Sequence, residues 1–191
     1  MNDKFLLRKD LKSRRSELSQ DFIYKGSKLI AENLFRCYEY KSAKVVLCYI
    51  STEMEVDTSL IFERACSDKK SFYAPRCEKN SNAMDFYLVR DRDDLERASY
   101  NLLEPKESCP KLSGSDGSIC IVPALSFDLS GGRIGFGKGF YDRFLASYDG
   151  ISCGLCFDEF LTNILPKEQT DVPVDMIVTQ TKILSINDKC F

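Results

Sequence analysis

Apolar residues recur at helical spacing at the start of the chain and give way to short β-branched runs further on. Residues 3–18 set Leu7, Leu11 and Leu18 against Lys4, Arg8, Lys12, Arg14 and Arg15, which predicts a basic amphipathic helix. Ser19 is placed to cap a second helix over residues 20–36, with Phe22, Ile23, Leu29, Ile30 and Leu34 on its apolar side. Lys44 to Ile50 reads as a strand. Val56-Asp57-Thr58 then leads into a helix carrying Leu60, Ile61 and Ala65. Ser71 to Ala74 is a second strand, closed by Pro75, and Met84 to Val89 a third. Residues 93–97 predict one helical turn, and the Pro- and Gly-bearing stretch 101–117 a loop. Ser118 to Val122 has the continuous apolar character of a central strand. A glycine-rich loop, a helix over 139–147, and strands at Cys153–Phe157 and Met176–Thr179 follow. Strands alternating with helices predict a three-layer α/β/α fold: a mostly parallel sheet with helices on both faces, in a single domain over 1–191.

Composition narrows the chemistry. The chain has 191 residues, 43% of them hydrophobic, and a formal net charge of -2, without the basic excess expected of a nucleic-acid-binding protein. No apolar run approaches the roughly 20 residues that span a bilayer. The first residues lack the apolar core of a signal peptide, so the expected location is the cytoplasm. Nine cysteines cannot all pair, and most lie in apolar runs where a reduced thiol packs as a small hydrophobe. Cys153 and Cys156 form a C-x-x-C inside a predicted strand, where positions three apart face opposite ways, so a zinc site is not expected. The chain contains no histidine. Ser-His-Asp and Cys-His nucleophilic sites are therefore excluded, and chemistry must rest on carboxylates, Lys, Arg, Tyr, backbone amides or a metal ion.

The informative segment runs Val122-Pro-Ala-Leu-Ser-Phe-Asp128, then Gly131-Gly-Arg-Ile-Gly-Phe-Gly-Lys-Gly-Phe-Tyr-Asp-Arg143. A buried strand, a glycine-rich loop and a helix start follow one another, and ligands of open α/β sheets bind at such strand ends. Glycines at 135, 137 and 139 let backbone approach a ligand closely, and Arg133 and Lys138 add positive charge, so a phosphate is the expected guest. The spacing Gly132-x4-Gly137-Lys138 is that of a P-loop, but Gly139 stands where a Ser or Thr hydroxyl would bind magnesium. Alternating glycines also miss the dinucleotide fingerprint. A tight turn before a helix is the plainer explanation of the loop alone. Asp142 beside a phosphate would be repelled by roughly 4 kcal/mol per charge pair at about 4 Å and an effective dielectric near 20. A divalent cation between them would remove that conflict.

Arg133-Ile-Gly-Phe-Gly-Lys-Gly-Phe-Tyr-Asp142, preceded by Val122 to Asp128, resembles the signature of the 5-formyltetrahydrofolate cyclo-ligases, also called 5,10-methenyltetrahydrofolate synthetases. Lys4-x-x-x-Arg8 is similar to that family's basic entry helix, and Glu55-Val-Asp-Thr58 to its E-[IV]-[ED]-T element. Ala74-Pro-Arg76, Met84-Asp-Phe86, Leu103-Glu-Pro105 and Val174-Asp175 fall in the family's order. The resemblance implies ATP held by Lys4, Arg8, Arg133, Ile134, Gly135, Phe136, Gly137, Lys138, Gly139, Phe140 and Tyr141. It implies folate faced by Ile50, Glu55 and residues 136–140, with Lys138 and Arg133 acting in catalysis and Mg2+ near Asp142 and Asp175.

Each residue also has a plain structural reading. Lys4 and Arg8 could form a solvated helix face, Glu55 a helix cap, and Asp175 a turn after Pro173. The implied reaction phosphorylates the formyl oxygen of 5-formyltetrahydrofolate with ATP. N10 then closes the ring to 5,10-methenyltetrahydrofolate with release of ADP and phosphate. Phosphoryl transfer demands positioning and charge stabilisation more than a nucleophilic side chain, so a chain without histidine suits it. The competing readings are another small-molecule kinase and a non-catalytic folate- or nucleotide-binding relative. The expected partners are small molecules, not nucleic acid or membrane, with a monomer favoured.

Overall fold

Helix α1 (Asp3–Ser16) buries Lys4, Leu11 and Arg15, so its inward face carries two cations that the pattern had assigned to its basic, outward side. Three residues on, the Ser19 hydroxyl accepts from Phe22 N at 3.1 Å and starts α2 (Gln20–Arg36), which buries Ile23, Ile30, Ala31 and Leu34. These are i, i+3, i+4 positions, as an amphipathic helix requires. Then come α3 (Tyr38–Ser42), strand β1 (Val45–Cys48), α4 (Ser59–Ser67), β2 (Ser71–Cys77), β3 (Met84–Leu88), β4 (Leu95–Arg97) and β5 (Leu103–Pro105). The second half holds β6 (Ser118–Val122), β7 (Ser126–Asp128), β8 (Arg133–Ile134), α5 (Phe140–Leu145), β9 (Ile151–Leu155), β10 (Leu161–Thr162), β11 (Met176–Val178) and β12 (Ile183–Ser185). This computed structural model describes residues 3–78, 83–98 and 102–187.

Among the described residues the main sheet has the order β12-β11-β9-β6-β1-β2-β3. The five inner strands are parallel and the two edges, β12 and β3, antiparallel. β6, buried along its whole length, lies at the centre. Register shows which elements cover each face. Phe86 stands opposite Pro75, and Phe72 is three residues from Pro75, so Phe72 and Phe86 point to opposite sides. Phe72 meets Phe62 of α4 edge-on at 5.0 Å, whereas Phe86 meets Phe144 just within α5 at 4.7 Å. One face is therefore covered by α4 with α2 beside it, the other by α5. The α5 face continues through Tyr73, Leu47 and Cys120 to Val122 and Gly154. There the Phe127 ring of a small sheet, ordered β10-β7-β8, lies so close that a Cβ on Gly154 would come within 2.4 Å of it. Half of the second outer layer is thus a sheet, not helix. No helix of the described residues is long and apolar enough to cross a membrane.

Several local expectations need correction. β2 does not stop at Pro75 but runs on to Cys77, because β1 pairs with it only as far as Tyr73 and the missing proline N–H leaves no β1 partner wanting. Residues 92–94 form a tight 3-10 turn, and Leu95–Arg97 is a strand paired with Leu103–Pro105, inside the stretch read as loop. The helix expected over 139–147 spans only Phe140–Leu145. Cys156 lies past the end of β9, though both it and Cys153 are buried free thiols; Cys190 lies outside the described residues.

Candidate active site

The chain leaves β1 towards β2 on one side and later returns to β6 on the other, so the topological switch point falls between β1 and β6. Two loops splay apart there, 49–58 after β1 and 123–139 after β6, and this is where an open α/β sheet offers a crevice. The first loop is internally braced. Tyr49 Oη donates to Val56 O at 3.0 Å and Thr58 Oγ1 to Tyr49 O at 2.8 Å. Glu55 accepts from Thr52 N and Thr52 Oγ1 through Oε2, at 2.9 and 2.8 Å, and is buried. Burial raises its pKa, against the lowering effect of those two hydrogen bonds and of nearby Arg15. Glu55 thus closes its own turn and does not cap α4. Ile50, half-buried, sits at the mouth of the same loop.

On the other side, Asp128 sets the direction of Arg133. Its carboxylate, fully buried, accepts from Ser130 N, Ser130 Oγ, Gly132 N and Leu165 N. Burial pushes its pKa up, but the hydrogen bonds, led by Ser130, outweigh that and hold it below the ordinary 3.8. A carboxyl depressed on folding stabilises above its unfolded pKa and stops doing so as pH falls through the folded one. Asp128→Asn is accordingly expected to cost about 1–3 kcal/mol near neutrality, since the charge that these donors serve is lost and an amide nitrogen in place of Oδ2 cannot accept from Leu165 N. Urea melts should show the gap from wild type closing in acid below the carboxylate range; an equal gap in acid and at neutral pH would refute the assignment.

Arg133, leaving the turn that Asp128 pins, donates from Nη2 to Asp142 Oδ1 at 2.7 Å, and Val172 N donates to the same oxygen at 3.2 Å. Burial lowers the Arg133 pKa, opposed chiefly by the Asp142 charge. Arg133 Nε and the Tyr141 hydroxyl are buried without a hydrogen-bond partner among the described residues. Burial drives the Tyr141 pKa well up, and the nearby ionisable groups Cys120, Cys48, Glu55 and Tyr49 add to this. Buried polar atoms of this kind normally find a partner, so the Arg133 donor beside the glycine-rich loop offers a hydrogen bond to a polar guest.

The glycine-rich loop lies between them and α1. Arg8 Nε donates to Gly135 O at 3.1 Å, and Gly137 is held at φ +102°, where a Cβ would sit 3.5 Å from Arg8 Nε. Gly139 at φ +66° begins α5, and Arg143 Nη2 reaches back to Lys138 O at 2.6 Å. α5 is too short for a strong helix dipole, so attraction for an anion rests on cations and loop amides. Lys138 and Phe136 are exposed, the latter with Lys12 Nζ 5.6 Å over its ring; Phe140 is half-buried. Ile134 is buried in the core, and its backbone is paired with β7 and accepts from Leu125 N.

Lys4 is not on a solvated face. It is buried and paired with Asp171 and, at 3.6 Å, with Glu168. Burial alone would raise the Asp171 pKa, but its hydrogen bonds from Lys4 and Glu168 N hold it low. Asp175 belongs to a separate network at the amino end of β11: Oδ2 accepts from Ser152 N and Oγ at 2.9 and 2.7 Å, and Oδ1 from Asn187 Nδ2 at 3.2 Å. The structure therefore gathers Lys4, Arg8, Arg133, Tyr141 and Asp142 with the 135–139 loop, and holds Asp175 in its own network with Ser152 and Asn187. Among the described residues no group of three or more Cys, Asp or Glu is arranged to hold a metal ion. That suits Mg2+, which commonly takes one or two carboxylates and completes its shell with phosphate oxygens and water. Asp142 fits, because no described residue donates to its Oδ2.

Sequence reasoning missed Arg15, Asp128 and Asp171. For Arg15 a signal was present. It follows Leu7 and Leu11 at i+4 steps, on the stripe that the apolar pattern reserves for the core.

The family model of the 5-formyltetrahydrofolate cyclo-ligase family matches residues 1–180. A 5-formyltetrahydrofolate cyclo-ligase of Saccharomyces cerevisiae is 29% identical, covering 93% of this chain and 95% of its own length. The Mus musculus 5-formyltetrahydrofolate cyclo-ligase is 27% identical over 90% of this chain and 91% of its own. The solution structure of Aquifex aeolicus 5,10-methenyltetrahydrofolate synthetase superposes with a TM-score of 0.85 at 29% identity, covering 98% of this chain and 95% of that one.

Proposed function

We propose how the site works from the premise that this chain belongs to the 5-formyltetrahydrofolate cyclo-ligase family. The enzyme uses ATP to convert 5-formyltetrahydrofolate to 5,10-methenyltetrahydrofolate. Its difficulty is the formyl oxygen, which cannot leave as oxide. The oxygen attacks the γ-phosphorus, the bond to the bridging oxygen of ADP breaks, and the formyl carbon now carries phosphate. N10 adds to that carbon, the C–O bond breaks with phosphate as leaving group, and the N10 proton passes to phosphate or water.

In this proposal Arg8, Arg133, Lys138 and the amides of residues 135–141 hold the ATP phosphates. Lys4, fixed by Asp171, lies at the same end and exchanges its longer Glu168 contact for a phosphate oxygen. Glu55 accepts hydrogen bonds from the N–H groups of the folate ring, Ile50 packs against it, and residues 136–140 border both substrates. Arg133 Nε, buried and unpartnered beside Tyr141, is the observation that carries the assignment: it has a donor to give to an oxygen that carries negative charge in the transition state. Lys138, exposed on the same loop, supplies a second positive charge to the transferring phosphoryl group. Mg2+, when bound, would neutralise charge shared between the phosphates; Asp142 is the carboxylate proposed to face it, with Asp175 as the second. We take the protein to act as a single-domain cytoplasmic monomer on small molecules, without nucleic acid or membrane.

The test is to mix purified protein with 5-formyltetrahydrofolate and follow the near-ultraviolet band of the methenyl product. Growth of that band only with Mg-ATP, matched by equimolar ADP, is expected. Binding of folate or ATP without any product would mean a non-catalytic relative, and ADP release dependent on some other acceptor a different kinase.

A further inference from the structure

Arg15 is 2% exposed, yet among the described residues no carboxylate lies within salt-bridge distance of it. Its guanidinium instead donates to three backbone carbonyls: Nε to Leu125 O at 3.1 Å, Nη2 to Ala124 O at 2.9 Å and Nη1 to Met54 O at 2.9 Å. Two of these acceptors belong to the loop that leaves β6 and one to the loop that leaves β1, next to Glu55. The Phe160 and Phe157 rings lie 4.7 and 5.8 Å from its Cζ and hold the plane of the fork. Burying a full charge without an ion pair is costly, and a core position at this point of α1 could be filled by leucine or methionine at no such cost. What leucine could not do is span two loops with one rigid, planar group.

We propose that Arg15 is a positioning residue, which fixes the loop facing the folate against the loop leading to the nucleotide, and so sets the approach of the formyl oxygen to the γ-phosphoryl group. The proposal rests on the folate and ATP reading above. Each loop keeps its own internal bonds without Arg15, the first through Tyr49, Thr52 and Thr58, the second through Leu125 N to Ile134 O at 2.7 Å. Each substrate should therefore still bind, while the two are held out of line. A small misplacement of reacting groups lowers the rate of the chemical step by up to about 100-fold.

The experiment compares wild type, Arg15→Lys and Arg15→Met in the Mg-ATP-dependent methenyl assay, below the unfolding temperature of each, with kcat expressed per folded molecule. Both variants are expected to lose about 10- to 100-fold in kcat, with KM for ATP and for 5-formyltetrahydrofolate within about threefold of wild type. Lysine keeps the charge but cannot bridge the loops, so it is expected to behave as methionine does. If Arg15→Met does not fold, Arg15→Lys decides by the same measurement. Wild-type kcat in a folded Arg15→Lys overturns the positioning role, whether or not the melting temperature drops, and so does a rise in KM with kcat unchanged. A folded wild type that makes no methenyl product fails the underlying reading instead, and is recognised before any variant is measured.

Discussion

Lys138→Ala is expected to lower kcat by about 100- to 1000-fold while leaving the protein folded and within about 0.5 kcal/mol of wild-type stability. The two halves of that expectation have separate causes. Lys138 is exposed on the glycine-rich loop, and the loop is shaped by other groups: Gly137 and Gly139 in left-handed conformations, Arg8 on Gly135 O, and Arg143 on the carbonyl of residue 138, which any side chain leaves in place. Truncating the side chain therefore leaves in place the backbone contacts that shape the loop. In the transition state, however, the γ-phosphoryl group has left ADP and has not fully joined the formyl oxygen, and a flexible ammonium can follow it. Lys138→Arg should recover only part of the rate, since a planar fork is not a point charge. Steady-state kinetics beside a thermal melt checks both halves. A folded Lys138→Ala enzyme with wild-type turnover would remove this residue from the mechanism.

What could be read before the structure follows a physical divide. α2 and β6 were legible because most residue types agreed with their place: a serine cap, apolar residues at helical spacing, a largely apolar strand run; Leu29, expected on the apolar side of α2, is instead exposed. The antiparallel pair Leu95–Arg97 and Leu103–Pro105 was not, because each strand has only three residues and the buried positions are a glutamate and a proline, so no apolar alternation marks it. The loop 133–142 was found from its glycines and charges, yet which charges pair inside it was out of reach. Charged residues are read as outward by default. Arg15, Lys4 and Asp128 break that rule: Arg15 and Lys4 are buried with partners more than 30 residues away in the chain, and Asp128 joins its local partners Ser130 and Gly132 to the distant Leu165. The electrostatic argument that placed a cation beside Asp142 also lacked one fact: Asp142 already has a buried positive neighbour in Arg133.

That neighbour makes Asp142→Asn the most discriminating replacement after Lys138→Ala. The amide oxygen can still accept from Arg133 and Val172, so the geometry survives, but the charge that offsets a nearly buried guanidinium is gone. The expected loss is about 1–3 kcal/mol, below that for breaking a fully buried pair because Asp142 is itself partly exposed. Nucleotide binding should respond in two opposite ways, both measurable by calorimetry without turnover. Metal-free ATP should bind the variant more tightly than wild type, because a negative charge next to the phosphates has been removed. The gain in affinity that Mg2+ gives to wild type should shrink or vanish, because the proposed carboxylate contact is missing. A wild-type magnesium increment in Asp142→Asn would exclude this carboxylate from the metal site. If the same measurement on Asp175→Asn then showed the increment lost, the metal would sit deeper, against the Ser152 side of β9. Loss in both would mean that the cation spans the two hydrogen-bond networks, with Arg133 and Asp142 on its nucleotide side.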